Sequence, residues 1–128
     1  MHRYFDLLNS GDPTIAHQIL SPDVVFVGPR APTGVRGIEA FLELVADIRE
    51  DSPDLQFEEG ETVVEGDRVA SVFTMTRTHR GGTEEAKVVA TEGMDLFHVS
   101  QGKIVRVQAY FDRLTLLAEL GLVTPPQA

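Results

Sequence analysis

One carboxyl group is notable because it lies in an apolar segment with the alternation of a β-strand. Between Glu84 and Val99, Asp95 shares one face with mostly apolar residues, namely Val89, Thr91, Gly93, Phe97 and Val99. Burial without a cationic partner raises a carboxyl pKa, which lets the group donate a hydrogen bond or shuttle a proton near neutral pH. The alternative is a structural Asp95 held by a hydrogen bond from the backbone or from an arginine.

The preceding segment places a histidine and an arginine on one face with two large apolar side chains. Phe73, Met75, Arg77 and His79 alternate along this predicted strand. A histidine titrates in the neutral range, so His79 suits general base work, although an exposed histidine at a strand end is the alternative. Arg77 offers a charge to a substrate carboxylate or enolate, or pairs with Asp95. A surface salt bridge is the other interpretation of this arginine.

The composition restricts the functional classes that the chain fits. The 128 residues suffice for a single domain, and the net charge of -9 with a pI near 4.8 disfavours contact with nucleic acid and with anionic membranes. There is no cysteine, which excludes disulfides, thiolate metal sites and a thiol nucleophile. No apolar run approaches the length of a membrane span and no leader pattern is visible, so we expect a cytoplasmic protein.

The four histidines give no indication of a metal site. His2, His17, His79 and His98 are scattered along the chain, with no helical pair and no acidic partner at ligand spacing. We therefore expect neither a metal nor another cofactor.

Three helices are predicted in the first part of the chain. Apolar stripes indicate a first helix that ends at Asn9-Ser10-Gly11, a second that Asp12 caps, and a third from Ile38 to Ile48 with a solvated acidic face. Between the last two, a short strand from Val24 to Val27 precedes a loop rich in proline and glycine, which we assign to Arg30–Gly37.

From Leu55 onward the period of the apolar residues changes to two. The pattern predicts strands at Leu55–Val64, Arg68–Arg80, Glu84–Val99 and Lys103–Phe111, joined by short turns into a bent, mostly antiparallel sheet. Asp112 is placed to cap a short C-terminal helix, and 124–128 are expected to form a flexible tail. The fold class is thus α+β, with residues 1–123 as a single domain and the helices on one face of the sheet.

The order of these segments resembles the SnoaL-like branch of the NTF2-like superfamily over almost the whole chain. The most telling stretches are Val64–Ala70, Gly93–Phe97, Gly102–Val105 and Tyr110–Asp112. The resemblance implies a conical fold with a pocket for a small apolar molecule. It does not fix a reaction, because this fold hosts cyclases, isomerases, dehydratases, hydrolases and non-catalytic carriers.

The resemblance also implies roles for individual residues. Asp95 and Tyr4 match the protonated aspartate and the tyrosine that stabilise an oxyanion in ketosteroid isomerases. His79 lies in a stretch similar to one frequent in SnoaL-like sequences, and Asp112 matches an acid of the cyclases, with helix capping as its alternative role. The isomerases carry their general base where this chain has Gly28, so any proton abstraction requires another group.

These observations favour an enzyme over a binding module without deciding between them. The leading hypothesis is general acid/base chemistry on a small apolar carbonyl compound, of the cyclase or isomerase type, with Asp95, Tyr4, His79 and Asp112 as catalytic candidates. The expected substrate contacts are Phe73, Met75, Arg77, Phe97 and Phe111. The alternative is a non-catalytic ligand-binding or interaction module. A homodimer is expected in either case, because Val72, Met94 and Leu96 lie on the sheet face without helices.

Overall fold

The computed structural model describes residues 2–79 and 87–111 of the chain. The helices are α1 (His2–Ser10), α2 (Pro13–Ile19) and α3 (Ile38–Asp51). The strands are β1 (Leu20–Gly28), β2 (Ala31–Arg36), β3 (Gln56–Glu65), β4 (Arg68–His79), β5 (Lys87–Ser100) and β6 (Lys103–Phe111). The predicted C-terminal helix, its cap Asp112 and the predicted tail lie outside the described residues. None of the helices in this part of the chain is long and apolar enough to cross a membrane.

The first two helices follow the apolar stripes of the sequence. The stripe of α1 is buried, and α1 ends where Gly11 adopts a positive φ of 68°. The predicted cap of α2 is confirmed, because Asp12 accepts a hydrogen bond from the backbone of Thr14 at 2.9 Å. Asn9 then fastens the end of α1 to β3, since its side-chain amide exchanges two hydrogen bonds with the backbone of Phe57, at 2.9 and 2.7 Å.

The third helix has the predicted amphipathic form. Ile38, Phe41 and Val45 are buried, and its acidic side chains point to solvent. Arg49 in its last turn donates to the backbone carbonyls of Leu8 and Leu55, each at 3.2 Å. The C-terminal end of α3 is thereby tied both to α1 and to the segment that leads into β3.

The six strands form one mixed sheet in the order β2-β1-β6-β5-β4-β3. All neighbours are antiparallel except β1 and β6, which run parallel. The turn between β5 and β6 contains Gln101 and Gly102 with φ of 52° and 76°, as a tight hairpin requires. The register shifts within the pairs β1–β2, β3–β4 and β5–β6 mark bulges. These bulges increase the twist and bend of the sheet.

The prediction of a loop at Arg30–Gly37 is wrong for most of these residues. Ala31–Arg36 forms the strand β2, which pairs antiparallel with β1 and makes a two-residue turn after Gly28. Pro32 and Gly34 are unusual in strands, so the sequence pattern did not indicate β2. Proline is tolerated here because β2 lies at the edge of the sheet. The strand predicted at Val24–Val27 is longer in the structure, because β1 begins at Leu20 and its register with β6 shifts between Leu20 and Val25.

The helices cover one face of the sheet, and the core lies between the helices and the sheet. The buried cluster combines side chains of all three helices with the inward residues of the strands, including Tyr4, Leu7, Phe41, Phe73 and Phe97. On the opposite face, Val72, Met94 and Tyr110 are 37%, 38% and 47% exposed. Because Val72 pairs with Met94 and Met94 with Tyr110, these three form one row across the central strands.

Candidate functional site

A cavity of about 450 Å³ lies between the helices and the covered face of the sheet. This volume is in the range of small-molecule sites. Its wall is mostly apolar and aromatic. It includes four polar side chains that could bind a ligand or take part in a reaction, Tyr4, Arg30, Arg77 and Asp95. The remaining wall residues are Leu8, Phe26, Pro29, Ile48, Leu55, Phe57, Phe73, Met75 and Ala109.

Asp95 occupies the middle of the sheet and faces this cavity. Its backbone pairs with Ser71 of β4 on one side and with Ala109 of β6 on the other, so small side chains flank it in both directions. Only 2% of its surface is exposed. Burial in these surroundings raises the pKa of the Asp95 carboxyl from its usual 3.8 to about 8. At neutral pH the carboxyl is therefore mainly protonated and can donate a hydrogen bond.

Neither structural role considered for Asp95 is found. Within residues 2–79 and 87–111, no hydrogen bond or ion pair engages its carboxyl group. Arg77, the arginine on the neighbouring strand, directs Nη1 to the hydroxyl of Ser52 at 3.2 Å instead. A carboxyl group that binds no structural partner and lines a cavity is available to a ligand.

Tyr4 is both a core aromatic and a wall residue. Its ring packs edge-on against Phe5 and Phe97, with centroid distances of 5.5 and 4.8 Å, and only 1% of its surface is exposed. Burial, and secondarily the charge of Asp95, raise the pKa of Tyr4 well above its usual value. The phenol therefore stays protonated, as a hydrogen-bond donor must.

Two arginines line the cavity near the C-terminal end of α3. Arg30, in the turn between β1 and β2, forms an ion pair with Asp51 at 2.7 Å. Arg77 is half-buried, and its hydrogen bond to Ser52 anchors it to the residue that follows α3. Burial, and secondarily the charge of Arg30, lower the pKa of Arg77, whereas Asp51 acts in the opposite direction. The two guanidinium groups are thus close enough to repel each other.

Gly28 ends β1 next to the wall residues Phe26 and Pro29. A Cβ atom there would lie 3.1 Å from two ring carbons of Phe26 and 3.2 Å from the Cβ of Ala109. Both contacts are tighter than ordinary van der Waals packing. A side chain at this position would therefore require the ring of Phe26 to shift by a few tenths of an ångström.

The structure brings several of the predicted site residues together and sets others apart. Phe73 and Met75 line the cavity with Asp95, Tyr4 and Arg77. Phe97 is not part of the wall, and its buried side chain packs edge-on against the ring of Tyr4. For His79 and Phe111 the structure describes only their positions, at the ends of β4 and β6. Asp112 lies outside the described residues.

Sequence reasoning missed eight of the wall residues. Leu8 and Ile48 belong to helical apolar stripes, which the periodicity assigns to the core without marking the cavity. Arg30 was hidden in the segment taken for a loop, and only the β1–β2 hairpin brings it to the wall. Phe26, Phe57 and Ala109 carry no local signal beyond strand alternation, and Pro29 and Leu55 lie outside the strands, after β1 and before β3.

The described residues contain no group of three histidine, aspartate or glutamate side chains that could hold a metal ion. The polar groups of the cavity wall are two guanidinium groups, one phenol and one carboxyl. This set suits hydrogen bonding to oxygen atoms of an organic ligand.

Comparison with known proteins shows the family and the fold of the chain. The chain matches the family model of SnoaL-like polyketide cyclases over residues 1–120. No curated protein matches the sequence. Among solved structures, a proposed SnoaL-like polyketide cyclase from Jannaschia sp. CCS1 superposes with a TM-score of 0.79 at 22% identity, covering 98% of this chain and 90% of that one.

Two further solved structures share the fold over most of both chains. The proposed polyketide cyclase IdmH from Streptomyces antibioticus gives a TM-score of 0.81 at 24% identity and covers 94% of each chain. A proposed polyketide cyclase from Bacillus cereus gives 0.76 at 26% identity, with 95% of this chain and 78% of that chain covered. The family match over nearly the full length, on an NTF2-like α+β fold, shows that this chain belongs to the SnoaL-like polyketide cyclase family.

Proposed function

We propose that the protein is a cofactor-independent enzyme that enolises a small apolar carbonyl compound, in a cyclisation of the aldol type or in an isomerisation. A base removes a proton from the carbon next to the carbonyl group, and the electron pair moves onto the carbonyl oxygen. Asp95 and Tyr4 donate hydrogen bonds to that oxygen as its charge develops. The enolate then attacks a second carbonyl group or is reprotonated at another carbon.

The observation that carries this proposal is the buried Asp95 without a structural partner. A protonated carboxyl group in an apolar wall is a stronger hydrogen-bond donor to an enolate than to a neutral carbonyl group, so it stabilises the transition state more than the ground state. The apolar wall residues Phe73 and Met75 suit the body of such a substrate. His79 and Asp112 are the proposed candidates for the base.

Proton exchange tests this proposal without knowledge of the natural substrate. We expect the wild-type protein to accelerate deuterium incorporation next to the carbonyl group of 2-tetralone in deuterated buffer, measured by proton NMR. An Asp95→Leu variant, which has a similar branched shape but no donor, should lose about a hundredfold of this acceleration. Asp47→Leu on the exposed face of α3 is the matched control and should retain it. Exchange that Asp95→Leu leaves unchanged would contradict the assigned role.

A non-catalytic ligand carrier is the second candidate, and Gly28 favours it. Gly28 has no side chain to take up a proton where the ketosteroid isomerases carry their base, and within the described wall Asp95 is the only carboxyl group. A carrier would bind 2-naphthol, which resembles the enol of 2-tetralone, in an Asp95-dependent manner. It would show no proton exchange beyond the buffer rate.

A homodimer forms the second part of the proposal. The row Val72–Met94–Tyr110 is apolar, exposed and uncovered by helices, and a second copy of the same face would bury it. We also propose that the protein has no nucleic-acid or membrane partner, on the basis of its acidic composition.

The dimer is tested by placing a charge in the middle of the row. Met94→Lys should raise the dissociation constant of the dimer by at least about thirtyfold, as expected for a residue at the centre of an interface. Val64→Lys is the control, since Val64 is 65% exposed near the end of β3 and outside the row. Sedimentation velocity over a concentration series measures both. A wild-type protein that is monomeric at micromolar concentration would refute the dimer.

A further inference from the structure

The charge of the cavity wall differs in sign from that of the whole chain. The protein carries a net charge of -9, but the charged side chains that line the cavity at neutral pH are Arg30 and Arg77. Asp95 is mainly neutral there, because burial raises its pKa to about 8. Asp51 lies beside the pair and bonds to Arg30, and Asp54 accepts a hydrogen bond from the backbone of Thr78, the residue after Arg77. An electropositive site in a strongly acidic protein indicates selection for a negatively charged ligand group.

The guanidinium groups retain free donors. Each guanidinium has five N–H groups in a fixed planar fork. Within the described residues, Arg77 uses Nη1 for one hydrogen bond, to Ser52, and has no carboxylate partner. Arg30 uses Nη2 for Asp51. Most of the donors on both side chains therefore have no protein acceptor in this part of the chain, although the two groups lie close enough for each to disfavour the other's charge.

A purely structural role explains these arginines only in part. Cations near the C-terminal end of a helix are stabilised by its dipole, and both arginines lie near the end of α3. Arg30, which pairs with Asp51 in the last turn of α3, already supplies such a cation. Keeping a second, half-buried guanidinium on the cavity wall costs desolvation and like-charge repulsion. A ligand anion would offset both costs.

From this arrangement we infer that the ligand is an apolar acid whose carboxylate is held between Arg30 and Arg77, while its reacting carbonyl group points to Asp95 and Tyr4. The inference rests on the proposed function of the same cavity. It narrows the substrate class from apolar carbonyl compounds to those with an anionic group at the end of the apolar body. Planar, bidentate recognition of carboxylate is what arginine side chains provide best.

The test compares two probes of nearly equal shape, 2-naphthoate and neutral 2-naphthamide. We expect the wild-type protein to bind 2-naphthoate about tenfold more tightly, measured by calorimetry, and this ratio to fall to about twofold or less in Arg77→Gln and in Arg30→Gln. Arg36→Gln is the matched control. It removes an equal charge from the exposed edge strand β2, outside the cavity wall, and should keep the full ratio.

Two readouts keep the inference separate from folding and from the proposed reaction. In the wild-type protein, raising the salt concentration should weaken binding of 2-naphthoate and not of 2-naphthamide, which requires no variant. A wild-type ratio near one, or a ratio that stays at the wild-type value in either arginine variant, would overturn the inference. Both results leave the exchange of 2-tetralone and its dependence on Asp95 intact, so failure here is distinguishable from failure of the proposed function.

Discussion

Raising the pH from about 5 to about 7.5 should lower the free energy of unfolding of the wild-type protein by roughly 3 kcal/mol more than that of an Asp95→Asn variant. Folding raises the pKa of Asp95 from 3.8 to about 8. Over this interval the unfolded chain has released the proton and the native protein still holds it. Each pH unit then costs the native state about 1.4 kcal/mol relative to a variant that does not titrate.

The sign of this effect separates the two interpretations of Asp95. With a raised pKa, the favourable contribution is complete below the unfolded value of 3.8 and is lost as the pH rises to about 8. An aspartate in a salt bridge has a lowered pKa and shows the opposite trend. Urea denaturation of both proteins across the pH range measures the difference, and Asp47→Asn on the exposed face of α3 is the control that should show almost none. A constant difference between wild type and Asp95→Asn would contradict the buried, protonated carboxyl group.

Tyr4→Ala should destabilise the protein by about 3–5 kcal/mol, whereas Tyr4→Phe should cost about 1 kcal/mol or less. The ring of Tyr4 is buried and packs edge-on against Phe5 and Phe97. Removing it leaves a cavity in the core, but removing only the hydroxyl group preserves the packing. Thermal and urea denaturation measure both effects.

The same two variants separate the structural role of Tyr4 from its role toward a ligand. Tyr4→Phe should bind 2-naphthol several-fold more weakly than the wild type while it stays folded, because one donor to the ligand oxygen is lost. Tyr110→Phe, on the exposed sheet face, is the matched control and should bind normally. If the wild type and Tyr4→Phe bound 2-naphthol with equal affinity, the role of Tyr4 would be limited to packing in the core.

Much of the fold is encoded in local patterns that need no partner to be recognised. The stripe of α3, the cap at Asp12 and the tight turn at Gln101-Gly102 are each determined within a few residues, and the structure confirms them. Strand β2 escaped prediction because Pro32 and Gly34 weaken every local strand signal. It forms only because β1 supplies a pairing edge.

The site was predictable to the extent that strand alternation determines which side chains share a face. That rule places Asp95 on the inward face with Phe97, and the register with Ser71 and Ala109 then sets it against small neighbours. It cannot distinguish a side chain that lines a cavity from one that fills the core, as Phe97 shows. Arg30 reaches the wall only through the β1–β2 hairpin, which is a long-range property of the sheet.

The roles proposed for the cavity all depend on Asp95 being a protonated carboxyl group in its wall. Carbon-13 NMR of the protein labelled at aspartate carboxyl groups, with Asp95→Asn used to assign the resonance, measures its pKa directly. We predict a midpoint near 8 for this resonance, where burial in the cavity wall places it. A midpoint at or below the usual value of 3.8 would show a charged, stabilised carboxylate and would contradict both the oxyanion role and the proposed reaction.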